Sequence, residues 1–123
     1  MEIELRGESI SKVQADYTLY LYVTGGFGIS IESEFVLVGS EEKFSLAPGN
    51  FEAGGHISSL VGVPIAACSV DEVRGGLCVE FVNGSTIVVA ADDEYESWNL
   101  TGPQGLRIVC MPGGELAFWS STA

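Results

Sequence analysis

The sequence predicts a mainly β protein: two antiparallel pseudo-repeats of about 55 residues, packed as a sandwich or a partly open barrel, with at most one short helix. Three observations lead there. Apolar and polar residues alternate with the period of two that a half-buried pleated strand requires. Glycines fall mostly at the ends of the apolar runs, where turns belong. The chain also matches itself, because Leu5, Gly7, Ile10, Val13 and Asp16 recur 55 positions later as Leu60, Gly62, Ile65, Cys68 and Asp71.

After a shift of three, Leu19, Leu21, Val23 and Gly26 meet Leu77, Val79, Phe81 and Gly84, and Ile29 and Ile31 meet Ile87 and Val89. The match divides one domain, 1–123, into a first pseudo-repeat (about 1–55), a second (about 56–104) and a closing hairpin (about 105–119). An acidic stretch stands before an aromatic strand in each half. Glu41-Glu42 precedes Phe44–Leu46, and Asp92-Asp93-Glu94 precedes Trp98–Leu100, so the two acidic loops are expected at corresponding points.

Each element has its own local reason. In "DYTLYLYV", Tyr17, Leu19, Leu21 and Val23 share one face, and Thr18, Tyr20 and Tyr22 the other. "TGGFGIS" reads as a hairpin turn, lacking both the spacing of a dinucleotide fingerprint and the Lys of a phosphate loop. "GGHISSLVG" is the one helical piece, a bridge between the halves. "LCVEFVNGSTIVVA" is a hairpin with Asn83-Gly84 as a type I′ turn. "LRIVC" and "ELAFW" form the closing hairpin around a type II turn at Pro112-Gly113, covering an edge and making Trp119 structural.

The run "YESWNLTGPQGLRIVCMPGGELAFW", after an F-x-N-G-S hairpin, resembles a family of small bacterial proteins known only as a domain of unknown function. The residues that carry the likeness are Tyr95, Glu96, Trp98, Gly102, Pro103, Pro112, Gly113, Gly114 and Trp119. The resemblance covers about the last 45 residues well and the first half loosely. It implies a fold and a bacterial setting, and no activity. A looser compositional likeness links the chain to small acidic toxin-immunity proteins.

Charge narrows the function. Seventeen acids face five bases, a formal net charge of -12, whereas a nucleic-acid binder needs Lys and Arg to neutralise phosphates. Nucleic acid and anionic membrane are thus unexpected partners, and the acidic N-terminus without an apolar leader predicts a cytoplasmic protein. Cys68, Cys78 and Cys110 lack paired metal-ligand spacing and read as reduced core residues, so neither metal nor cofactor is expected. His56 is the only histidine, beside Ser58 and Ser59 but outside any nucleophile motif.

The expected function is therefore a non-enzymatic acidic interaction module. Its partner would be a basic protein, such as the toxin of an immunity pair. Glu41, Glu42, Asp92, Asp93, Glu94, Tyr95 and Glu96 are the candidate partner-binding residues, the acids steering association and the tyrosine anchoring it. The alternative is a carboxylate-based small hydrolase or ligand-binding β domain, whose two acids would converge in a pocket.

Overall fold

A computed structural model describes residues 1–39, 41–49 and 51–120. Its strands are β1 (Glu2–Ile3), β2 (Ile10–Ala15), β3 (Leu19–Val23), β4 (Phe27–Ile31), β5 (Phe35–Val38), β6 (Lys43–Leu46), β7 (Ile65–Val70), β8 (Leu77–Phe81), β9 (Thr86–Val89), β10 (Trp98–Thr101), β11 (Arg107–Cys110) and β12 (Leu116–Trp119). One helix, α1 (Phe51–Ser58), lies between β6 and β7. The strands form two antiparallel six-stranded sheets, a first in the order β1-β7-β8-β9-β5-β6 and a second in the order β12-β11-β10-β4-β3-β2. The expected mainly β fold is therefore a sandwich of two sheets and not a barrel.

Alternation decides what is buried. In β3, Leu19, Leu21 and Val23 are buried while Tyr20 and Tyr22 face outward, and in β8 Leu77, Val79 and Phe81 are buried while Glu80 is exposed. Ile29, Ile31, Ile87, Val89, Leu100 and Ile108 complete the layer between the sheets. Burial of aliphatic area at about 25 cal/mol per Å² drives the two sheets together. Trp98 is wholly buried, and its indole N–H donates to the Gly75 carbonyl in the turn between β7 and β8, at 2.8 Å, tying one sheet to the other.

The two sheets are related by an approximate twofold. Strands β2 to β4 lie in the second sheet and β5–β6 in the first, while β7 to β9 lie in the first and β10–β11 in the second. The relation is reciprocal at the level of single bonds. Gly7 N–H donates to Ile65 O and Gly62 N–H to Ile10 O, both at 2.9 Å, around the isolated bridge between Ser9 and Pro64. Gly7 and Gly62 take φ of +86° and +85°, and a bulge interrupts each half at Ile10/Lys12 and Ile65/Ala67.

Four expectations are corrected. Tyr17 does not share the inner face of β3; it is 95% exposed in the turn that precedes the strand. The Asn83-Gly84 turn is not type I′, since Gly84 alone takes positive φ, at +90°. Gly84 N–H bonds to Phe81 O and Phe81 N–H to Ser85 O, a type I turn followed by a left-handed glycine, while Asn83 Oδ1 accepts from Ser85 N–H. The third concerns the match of Phe44 with Trp98. Trp98 stands opposite Ile31 at the start of β10, the place Phe35 holds at the start of β5, so the expected alignment is one strand out of step.

The fourth concerns the closing hairpin. Gly113 has φ +85° and ψ -4°, and Gly114 N–H bonds to Met111 O, as a type II turn requires. β12 covers β11 but becomes the edge of its sheet, leaving Phe118 and Trp119 54% and 52% exposed. Trp119 is thus not a core residue, and Arg107 lies over its ring at 5.5 Å.

Candidate functional site

The strand registers assign most connections to one of two poles. Val38 pairs with Thr86 and Val36 with Val88, so the turn after β5 and the loop after β9 leave in opposite directions. Glu41 and Glu42, in the β5–β6 turn, lie at one pole, and Asp92, Asp93, Glu94, Tyr95 and Glu96, between β9 and β10, lie at the other. The sequence-predicted residues therefore do not form one patch. The reason is the displaced alignment: Glu32-Ser33-Glu34, joining β4 to β5, occupies the place that 90–97 holds between β9 and β10.

The second pole is nevertheless a single strong patch, built from connections the sequence did not place together. It collects the β2–β3 turn, the β4–β5 link, the β7–β8 turn, the β9–β10 loop and the β11–β12 turn. Their acids are Asp16, Glu32, Glu34, Asp71, Glu72, Asp92, Asp93, Glu94, Glu96 and Glu115, ten of the seventeen in the chain, and their one base is Arg74. Lys43 and Arg107 lie towards the opposite pole, beside the turns that follow β5 and β10. The Asp16–Asp71 match in the self-comparison was the available signal, because equivalent turns of a twofold share one end.

Backbone contacts fix the pole. Gly113 N–H donates to Asp92 O at 2.8 Å, and Gly75 packs so closely on Gly114 that a Cβ there would fall 2.5 Å from the Gly114 carbonyl. Two aspartates shape their loops as Asx turns. Asp92 Oδ1 accepts from the N–H groups of Glu94 (2.8 Å) and Tyr95 (3.1 Å), and Asp71 Oδ1 from those of Val73 (2.9 Å) and Arg74 (3.0 Å). The donors from Arg74 and Val73 hold the Asp71 carboxyl below its ordinary value of 3.8. Three apolar side chains stand out from this ring of acids: Tyr17, Val73 at 90% exposure, and Tyr95 at 62%.

The other candidates are engaged elsewhere. The His56 ring stacks on Phe44 with centroids 4.1 Å apart, while Ser58 Oγ donates to Gly54 O and Ser59 Oγ to His56 O. Cys68 and Cys110 are buried and Cys78 half-buried; burial pushes the Cys68 thiol up to about 12 and raises that of Cys78. Among the described residues no three His, Cys, Asp or Glu side chains gather to hold a metal ion, and no helix is long and apolar enough to cross a membrane.

The chain belongs to a family of unknown function (DUF6188), which it matches over residues 1–120. The match runs through both halves and not only the C-terminal stretch that carries the resemblance. No curated protein and no solved structure matches it.

Proposed function

We propose that the protein is a non-enzymatic interaction module that binds a basic protein partner through its acidic pole. The observation that carries the proposal is the gathering at one pole of ten acids, against Arg74 and the N-terminal ammonium beside Glu72, together with exposed Tyr17, Val73 and Tyr95. A pole of one sign accelerates encounter with a positive surface and repels wrong partners, and exposed apolar side chains among the acids hold the complex once formed. In its finer form the partner is a toxin, whose basic active surface a small acidic immunity protein would cover in the cytoplasm. The size of the chain and its -12 charge support that form.

A hydrolase is the weaker reading. Asp71 and Asp93 line one hollow of about 700 Å³, but both are exposed. A general acid needs its carboxyl raised, and Asp71 is displaced the other way.

The test is capture from native cell extract on three immobilised proteins: wild type, Asp93/Glu94/Glu96→Lys, and Glu41/Glu42→Lys. A basic protein should be retained by the first and third and lost from the second. Its association should also fade as salt rises from about 0.1 M to about 1 M, where the screening length drops from about 10 Å to about 3 Å. Equal retention on all three, or association indifferent to salt, would defeat the proposal.

A further inference from the structure

The outer face of the second sheet carries a groove that shares only Glu32 with the acidic pole. Tyr20 and Tyr22 of β3 form one wall, and Arg107 on β11 lines the far side, around a volume of about 420 Å³. The floor is small and polar: the registers set Tyr22, Gly28, Thr101 and Arg107 in one outward row, and Tyr20, Ser30 and Asn99 in the next. Gly28 keeps the floor open, since a Cβ there would lie 3.1 Å from Thr101 Oγ1. Tyr22 and Arg107 are held from behind. Tyr22 Oη donates to Gln14 Oε1 at 3.0 Å, Lys12 lies 5.5 Å over the Tyr22 ring, and Arg107 is braced on Trp119.

The twofold supplies an internal control. The same positions of the first sheet hold Cys78 and Glu80 for the tyrosines, Thr86 and Val88 for Gly28 and Ser30, and Val38 and Val36 for Thr101 and Asn99. Equivalent backbone there carries a valine ridge. The trough of the second sheet is thus a property of its side chains and not of the sandwich geometry.

Charge is distributed along the groove. Arg107 lies across the floor from Tyr22, in the row of Gly28, and Glu32, the single carboxylate on the lining, lies along the strand, four residues beyond Gly28, or about 13 Å at the rise of an extended chain. Lys12 and Arg107, two of the five bases, lie on this face, and neither outward row contains an acid. We infer that the groove binds a saccharide bearing a carboxylate, a uronic acid or an oligosaccharide ending in one. The C–H face of the ring would lie on the electronegative tyrosine faces, the carboxylate would meet Arg107, and hydroxyls would exchange hydrogen bonds with Ser30, Asn99 and Glu32. A ring with an apolar C–H face, hydroxyls and one anionic group matches the aromatic wall, the polar floor and Arg107.

The experiment is an amide-resonance titration of the full chain with glucuronate, glucose and acetate, each to about 100 mM to cover millimolar affinity. Glucuronate should give saturable shifts confined to Tyr20, Tyr22, Ser30, Asn99, Thr101 and Arg107, at least about fivefold tighter than glucose. Acetate should leave these residues unmoved. Arg107→Gln, on an exposed side chain, should erase the preference for glucuronate over glucose, and Ser30→Phe should fill the floor and abolish both. Absence of saturable shifts, identical shifts with acetate, or glucuronate binding unchanged in both variants would overturn the inference. Because acids of the pole are untouched, either outcome leaves the basic-partner reading to its own test.

Discussion

The indole N–H of Trp98 reaches across the sandwich to the carbonyl of Gly75, 23 positions earlier, at 2.8 Å, with both residues buried. This bond makes Trp98 both a core side chain and the clasp that holds the β7–β8 turn against the second sheet. Trp98→Phe keeps an aromatic ring but removes the only ring donor, leaving a buried carbonyl short of a partner. The expected loss is about 2 to 3 kcal/mol in urea unfolding, against about 3 to 5 kcal/mol for Trp98→Ala. A loss below about 0.5 kcal/mol for the phenylalanine variant would show that the bond contributes nothing.

Gly114 faces the same turn from the other side. It is buried with φ +97°, and a Cβ would run into the carbonyl of Arg74 and reach 3.4 Å from Ala91. Gly114→Ala should therefore cost at least about 3 kcal/mol, combining left-handed strain with a backbone collision. Gly84 has a similar φ, +90°, but open space around it, so Gly84→Ala should cost only about 1 to 2 kcal/mol. Equal melting points for the two variants would contradict the close approach of the Gly75 and Gly114 turns.

Much of this architecture was legible because it is local. The alternation in β3 and β8 separates buried Leu19, Leu21, Leu77 and Val79 from their outward neighbours without any knowledge of the fold. The 55-residue offset between Gly7 and Gly62 likewise marks two backbone positions that need positive φ. What could not be read depends on strand order. Whether Glu41 joins Asp92 is decided by the directions in which β5 and β9 leave their sheet, and composition carries no trace of that. The groove is hidden for the same reason: Tyr20 and Asn99 come to flank Ser30 only because β4 and β10, 67 residues apart at Ile31 and Trp98, pair edge to edge. Asn83 misled in another way, since its side chain caps the turn while its backbone stays in the ordinary region.

Asp71 offers a pH test. Its folded carboxyl is held below 3.8, first by the Arg74 and then by the Val73 N–H, so it favours folding above that value and loses the contribution as pH falls through its lower folded value. Asp71→Asn keeps an acceptor oxygen but cannot titrate. The wild type should be the more stable of the two at neutral pH, and the difference should shrink steadily below pH 3.8. If the crowding of like charges at the pole outweighed the two N–H donors, Asp71→Asn would be the more stable at neutral pH and the wild type would gain on it as pH falls. Urea midpoints of both proteins through the acid range distinguish these signs.

The closing hairpin gives the last test. Phe118 and Trp119 are each half exposed, so each contributes only about half of the roughly 1.5 to 3 kcal/mol of a fully buried side chain. The double variant Phe118→Ser/Trp119→Ser should remain folded and soluble. Truncation after Met111 removes more than these rings: the four residue pairs that β12 makes with β11, the Gly113 bond to Asp92 and the Gly114 cover over Gly75 all go with it. Ile108 and Cys110, wholly buried in the intact chain, would then sit on an open edge. The truncated chain should be insoluble or unfolded by circular dichroism while the double variant keeps its strand spectrum. A folded truncation would make the hairpin an appendage. Acrylamide quenching separates the two tryptophans independently, since Trp119, alone in Trp98→Phe, should be quenched readily, and Trp98, alone in Trp119→Phe, should be shielded.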